Sequence, residues 1–266
     1  MNRIDRRFAA LKAAGRTGLI PFVTAGDPWP EHVVALMHAL VESGADVIEL
    51  GVPFSDPMAD GPVIQHASER ALDKGVGIGD VLDWVAAFRQ RDSDTPVVLM
   101  GYLNPIEIHG YARFAAEAVR AGVDGVLVVD CPLEESAVLA PLRESGLRQI
   151  LLAAPTTAPE RLSMLCDAAE GFLYYVSFAG ITGAARLSTA DIAARVADVR
   201  AQAKAPVAVG FGVRDAASAK AIAGFADAVV IGSALVERLE GAASAEEIAG
   251  RVALFLRPVR EALDAH

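Results

Sequence analysis

Only two cysteines, Cys131 and Cys166, occur in 266 residues. Two thiols make neither a disulfide framework nor a closed thiolate metal site, and they suit a reducing compartment. Aromatic residues supply just 6% of the chain, so the core has to be built mainly from Ala, Val, Ile and Leu. No run of 18 or more apolar residues appears, so no membrane-spanning helix is expected. Arg3, Arg6 and Arg7 are not followed by the apolar stretch of a secretory leader, and the chain is expected in the cytoplasm. Basic charge is short as well. The 24 Lys plus Arg face 34 Asp plus Glu, a net charge of −10. That balance disfavours a nucleic-acid backbone or an anionic membrane as the main partner. The five histidines do not cluster, so no metal site is expected. No Lys falls inside a candidate strand, which argues against Schiff-base chemistry. There is no G-x-x-x-x-G-K-[ST] loop and no well-placed G-x-G-x-x-G, which disfavours nucleoside triphosphates and dinucleotides.

What is present is a regular alternation. Short β-branched runs are separated by longer Ala/Leu-rich stretches of helical period. The candidate strands are Leu19–Thr24, Val47–Leu50, Val97–Tyr102, Gly125–Val129, Gln149–Ala153, Leu173–Ser177, Val207–Gly210 and Ala228–Ile231. Most are continuous apolar runs, as in parallel strands covered on both faces. Eight such units predict an α/β fold, a single (β/α)8 TIM barrel spanning residues 1–266; a doubly wound open sheet is the structural alternative. An extra helix precedes the first strand, with Ile4, Phe8 and Leu11 on one face. Predicted helices include Trp29–Ser43, Glu134–Ser145 and Ala245–Leu263, the last with a kink or break at Pro258. One interval is too long: the loop after the second strand holds Pro53–Pro62 and an additional helix. In a barrel that loop lies on the face where active sites form.

The chemistry-bearing residues gather there. Glu49 interrupts the second apolar strand near its C-terminal end, where a carboxylate must be paired or sit at the barrel mouth with a raised pKa. Asp56 and Asp60 lie in the following loop, whose Asp56-Pro57 and Asp60-Gly61 pairs also fit plain turn capping. The sixth, seventh and eighth strands run into small residues, including Gly183, Gly212, Gly232 and Ser233. Such loops let backbone amides approach phosphate oxygens, and Ser233 can add a hydroxyl and cap its helix. Phe22, Tyr102, Tyr174, Tyr175 and Phe211 fall in or just beyond strands. Most belong to a core, with Phe22 and one tyrosine as candidates to hold a flat apolar ligand. The residues alone point to a metal-free barrel enzyme using carboxylate acid–base chemistry on a small phosphorylated substrate.

The run Glu49-Leu50-Gly51-Val52-Pro53-Phe54-Ser55-Asp56-Pro57-Met58-Ala59-Asp60-Gly61-Pro62-Val63-Ile64-Gln65 resembles the signature of the tryptophan synthase alpha chain family. Pro21–Pro28, Met100–Ile106, Val129–Glu135, Tyr174–Ala184, Gly210–Gly212 and Gly232-Ser233 resemble its other segments. The resemblance implies retro-aldol cleavage of indole-3-glycerol phosphate to indole and glyceraldehyde 3-phosphate. It implies that Glu49 is the acid–base residue, that Asp60 binds the indole N–H, and that Tyr174 is the site tyrosine, with Tyr175 as the fallback. Phe22, Leu99 and Leu127 would pack the indole, and Thr182 would meet Asp60. Gly183, Gly212, Gly232 and Ser233 would hold the phosphate, with Phe211 also in the substrate site. The family implies no cofactor in this chain. It also implies docking to a pyridoxal-phosphate beta chain in an α2β2 complex, with Pro53, Asp56, Asn104 and Pro132 as contact points. The loops 53–62 and 178–190 are expected to be mobile until ligand or partner orders them. Two rivals stand beside this reading: another phosphate-binding barrel enzyme, and a non-catalytic subunit that only regulates a beta chain.

Overall fold

The computed structural model describes residues 1–176, 189–210 and 212–265. Among these, eight parallel strands form a ring: Gly18–Thr24, Ile48–Gly51, Val97–Gly101, Gly125–Val128, a fifth strand in two segments, Leu173–Val176, Val207–Gly210 and Ala228–Ile231. The segments of the fifth strand are Arg148–Gln149, paired with the fourth strand, and Leu151–Ala153, paired with the sixth. Between them the Ile150 amide donates to the Val126 carbonyl at 2.8 Å, and the first and eighth strands pair directly. The sheet therefore has no free edge, and the open-sheet alternative is excluded.

The pleat sorts the strand residues into two layers, because successive side chains point to opposite faces. Leu19, Val23, Ile48, Leu50, Val97 and Val126 face outward onto the surrounding helices. Ile20, Val47, Val98, Leu127, Ile150, Phe172, Ala208, Ala228 and Val230 fill the interior. The first helix, Arg3–Ala14, closes the N-terminal end of the barrel. Its Ile4, Phe8 and Leu11 are buried against that interior layer, and the Phe8 and Phe172 rings lie 5.6 Å apart.

A repeated device ties the rim at this end. Asp46, Asp124 and Asp227 each stand just before a strand. Each accepts the first or second amide of a neighbouring strand, from Leu19 (2.9 Å), Val97 (2.9 Å) and Val207 (2.8 Å) respectively. Each also binds an arginine: Asp46 with Arg260, Asp124 with Arg89 and Arg3, Asp227 with Arg200. A buried carboxylate is tolerated there because backbone amide and guanidinium satisfy it together.

Three expected elements differ in detail. Trp29–Ser43 opens instead as a 3-10 turn, Pro30–His32, before the helix Val33–Glu42. Glu134–Ser145 is a 3-10 run, Leu133–Leu139, followed by a short helix, Ala140–Glu144. Pro141 has no amide to extend the earlier turn but suits a helix start. The last helix runs unbroken from Ala245 to Asp264 through Pro258. Leu254, whose carbonyl Pro258 cannot satisfy, is 81% exposed, so water can take that bond. The long loop carries two helices, Pro62–Leu72 and Ile78–Phe88, and the third strand is followed by an extra short helix, Leu103–His109.

The rim aspartates make a stability prediction. Asp124→Ala removes the short carboxylate contact of Arg89, whose side chain is only 10% exposed, and the amide partner of Val97. It should cost about 3–5 kcal/mol of unfolding free energy, read as a lower urea midpoint at unchanged slope.

Candidate active site

At the opposite end of the barrel the interior layer stops being purely apolar. Phe22, Glu49 and Val98 stand in register on the first three strands, so all three point inward. Glu49 is 1% exposed, and among the described residues neither carboxyl oxygen has a hydrogen-bond partner. Burial, reinforced by the charge of Asp60, pushes its pKa up to about 8. Glu49 is therefore mostly a neutral acid at pH 7, poised to give and take a proton near that pH.

Asp60 comes from the loop after the second strand. Burial raises its pKa, opposed by the hydroxyl of Tyr102, which donates to Asp60 Oδ2 at 2.9 Å. The same hydroxyl accepts the Ala59 amide at 3.0 Å, and Gln65 Nε2 donates to the Asp60 carbonyl at 2.8 Å. The loop is thus held at its tip. The turn itself is closed by backbone, the Asp60 amide donating to the Pro57 carbonyl at 3.0 Å.

Tyr174 sits in register with Leu152 and Ala208, on the inner face of the sixth strand. Its phenol is held well above the usual range by burial and by the charges of Glu49 and Asp60, so it is electrostatically coupled to both carboxyls. Its ring lies over Gly210, where a Cβ would collide with the phenol. Tyr175, one residue on, faces the helices instead. Of the two tyrosines left open by the resemblance, the pleat turns Tyr174 to the barrel interior.

The same parity corrects one indole-packing residue. Leu99 is in register with Leu50 and Val126, in the outer layer, and packs under the helices. Met100 takes the inner position, in register with Gly51 and Leu127 and against Phe22. Leu127 is inside and 1% exposed. Gly51 is required here, because a Cβ would lie 2.6 Å from Phe22 Cζ. Phe22, Met100 and Leu127 therefore form one apolar wall around Glu49.

The expected phosphate residues are placed only in part. Thr182, Gly183 and Phe211 lie outside the described residues, as does most of the expected loop 178–190. Gly212 is exposed after the seventh strand with φ +44°, a conformation that favours glycine. Gly232 caps the helix Ser233–Leu239 and stands beside Phe22, where a Cβ would come within 3.5 Å of the ring. Ser233 does not cap that helix: it is the first helical residue, and Gly232 holds the cap position without a side-chain bond. The opening amides of the helix and the Ser233 hydroxyl are thus at the barrel mouth, as an anion requires.

Asp56, Asn104 and Pro132 are exposed, whereas Pro53 is buried. All four follow the second, third or fourth strand, on the same end of the barrel as Glu49. No group of three or more His, Cys, Asp or Glu among the described residues is placed to hold a metal ion. No helix among them is long and apolar enough to cross a membrane. Sequence reasoning missed Met100 and Tyr102. The signal for Tyr102 was its hydroxyl, which a buried tyrosine must satisfy.

With the geometry in place, comparisons with known proteins agree on one group. The family model described as tryptophan synthase alpha chain matches residues 8–264. The tryptophan synthase alpha chain of Laribacter hongkongensis is 59% identical over 266 residues, covering 100% of both chains. That of Xylella fastidiosa is 58% identical, covering 100% of this chain and 99% of the relative. The crystal structure of tryptophan synthase subunit alpha from Legionella pneumophila superposes with a TM-score of 0.93 at 46% identity, covering 100% of both chains. A tryptophan synthase structure from M. tuberculosis gives 0.87 at 37%, covering 99% of each.

The Glu49 environment sets a pH dependence of stability. A carboxyl whose folded pKa lies near 8, against 4.5 for the free group, binds its proton more tightly when folded. Stability is therefore lost as pH rises from about 4.5 to 8, at up to about 1.4 kcal/mol per unit. Glu49→Gln cannot ionise, so its Tm advantage over wild type should widen from pH 5 to pH 9. A constant gap would contradict the raised pKa.

Proposed function

The chain belongs to the tryptophan synthase alpha chain family, and on that premise we propose that Glu49, Asp60 and Tyr174 carry the family's reaction in this protein. The reaction is the lyase step of tryptophan biosynthesis that cleaves indole-3-glycerol phosphate to indole and glyceraldehyde 3-phosphate. Breaking that carbon–carbon bond needs the indole C3 protonated, so that the ring becomes an electron sink. It also needs the proton of the glycerol hydroxyl removed as the aldehyde forms.

The observation that carries the assignment is the Glu49 carboxyl, without a hydrogen-bond partner among the described residues, inside an apolar wall. Held neutral by burial, Glu49 gives its proton to indole C3. Its carboxylate then takes the hydroxyl proton as the bond breaks, so the group ends as it began. Asp60 accepts the indole N–H and stabilises the positive charge that develops on the ring. Tyr174, kept un-ionised, closes the wall on the sixth strand and adds no charge of its own. Phe22, Met100 and Leu127 pack the indole. Gly212, Gly232 and Ser233, with Gly183, supply the phosphate end, while Phe211 belongs to the substrate site and Thr182 meets Asp60. Amides and a helix N-terminus suit that group despite the net charge of −10.

In this family the pyridoxal phosphate belongs to the beta chain, and the reaction described here uses no cofactor. The family implies that partner. We assign it an α2β2 arrangement with the cytoplasm as its compartment, and Pro53, Asp56, Asn104 and Pro132 as contacts. Their common location beside the mouth supports this, since indole released there would emerge against the partner.

The test is indole release from indole-3-glycerol phosphate, measured with and without a beta chain. Wild type should release indole, slowly alone and faster with the partner. Glu49→Gln should lose roughly a hundredfold or more in kcat. No release by wild type with the partner, or full rate in the variant, would sink the assignment. The parity of the third strand gives a second outcome. Met100→Ala should raise KM with little change in Tm, whereas Leu99→Ala should lower stability by about 2–5 kcal/mol with KM nearly unchanged.

A further inference from the structure

Tyr102 stands where the third strand ends and the short helix Leu103–His109 begins. Its backbone is still extended, with φ −115° and ψ 159°. It is 3% exposed, and its ring lies 5.2 Å from that of Phe54. A buried phenol must find partners, and this one finds two on the same loop. It donates to Asp60 Oδ2 at 2.9 Å and accepts the Ala59 amide at 3.0 Å. One hydroxyl therefore holds both the backbone and the side chain at the loop tip, from a rigid strand end.

We propose that Tyr102 is the positioning residue for Asp60: its hydroxyl clamps the Asp60 carboxylate and the Ala59 amide, so that the loop presents this carboxylate to the indole N–H in one fixed pose. The proposal rests on the role given to Asp60 above. An aspartate on a loop has two side-chain torsions to lose on binding, and a buried carboxylate with no donor would turn away or take up a proton. Among the described residues the Tyr102 bond engages one Asp60 oxygen and leaves the other available to the substrate. The cost of orientation is met before the substrate arrives, and the benefit appears where charge develops on the ring. Tyr102 itself exchanges no proton with the substrate and acts only through Asp60.

Tyr102→Phe keeps the ring and its contact with Phe54 and removes only the hydroxyl. Assayed as indole release by the full chain, it should lose roughly ten- to a hundredfold in kcat, with KM within about twofold of wild type. A packing role would instead raise KM or lower Tm at unchanged kcat, and either pattern overturns the proposal, as does an unchanged kcat. A second measurement needs no variant. In wild type the Ala59 amide should exchange with solvent deuterium at least tenfold more slowly than that of Ser55 in the same loop. Equal rates would mean that no clamp exists, whatever becomes of the variant. Failure of the functional assignment is distinct: there, wild type itself releases no indole.

Discussion

A carboxyl group that no described residue satisfies, buried in the mouth of a barrel, is costly, and the rest of this site is arranged around that cost. Glu49 occupies an interior position that every neighbouring strand fills with a hydrocarbon side chain. Its burial is what moves its proton affinity to where a reaction near neutral pH can use it. The energy comes from elsewhere in the fold. At the other end of the barrel, carboxylates meet the opposite treatment: Asp46 and Asp124 are buried and Asp227 half-buried, but each holds a backbone amide and an arginine. One end satisfies its charges and stabilises the ring, and the other leaves a carboxyl unsatisfied and reactive. This division matches the general separation of stability and catalysis between the two faces of such barrels.

Period two governs which residues meet Glu49. On the third strand Val98 and Met100 point in, and Leu99 points out. On the sixth, Tyr174 points in and Tyr175 out. A shift of one residue exchanges site and helix interface completely. This explains why the barrel could be read from the sequence while one of its site residues could not. The apolar runs, the small-residue turns and the long second loop are composition signals, and they survive an error of one position at an element's end. Glu49 was legible for the same reason, as a charge inside an apolar run. Leu99 and Met100 are both apolar, and a continuous apolar strand carries no alternation from which to choose between them.

Other features were present in the sequence but had no local meaning there. An aspartate precedes three strands, after Ala45, Val123 and Ala226. Its role depends on arginines up to 214 residues away, as in the Arg260–Asp46 bond. Pro258 reads as a helix break, yet the helix continues because the orphaned carbonyl belongs to an exposed residue. Tyr102 looks like core from its neighbours, since nothing in Gly101-Tyr102-Leu103 reports a loop that returns from 42 residues upstream. Propensity describes a residue with its chain neighbours, whereas each of these depends on what the closed ring brings alongside.

Closure also links the two carboxyl groups. Glu49 rides on a strand paired on both sides, which fixes its backbone relative to the wall. Asp60 rides on a loop and must be brought to the same mouth. The third strand is the natural place to hold it, because that strand is paired with the one carrying Glu49, and its end faces the loop that leaves from there. The charge of Asp60 adds to the burial of Glu49 and raises its proton affinity further. Fixing Asp60 as a hydrogen-bond acceptor therefore does two things at once. It provides a counter-charge for the indole ring, and it keeps Glu49 protonated until the ring is there to take the proton. Acid and counter-charge are distinct roles for chemically similar groups, separated because one has a donor and the other has none.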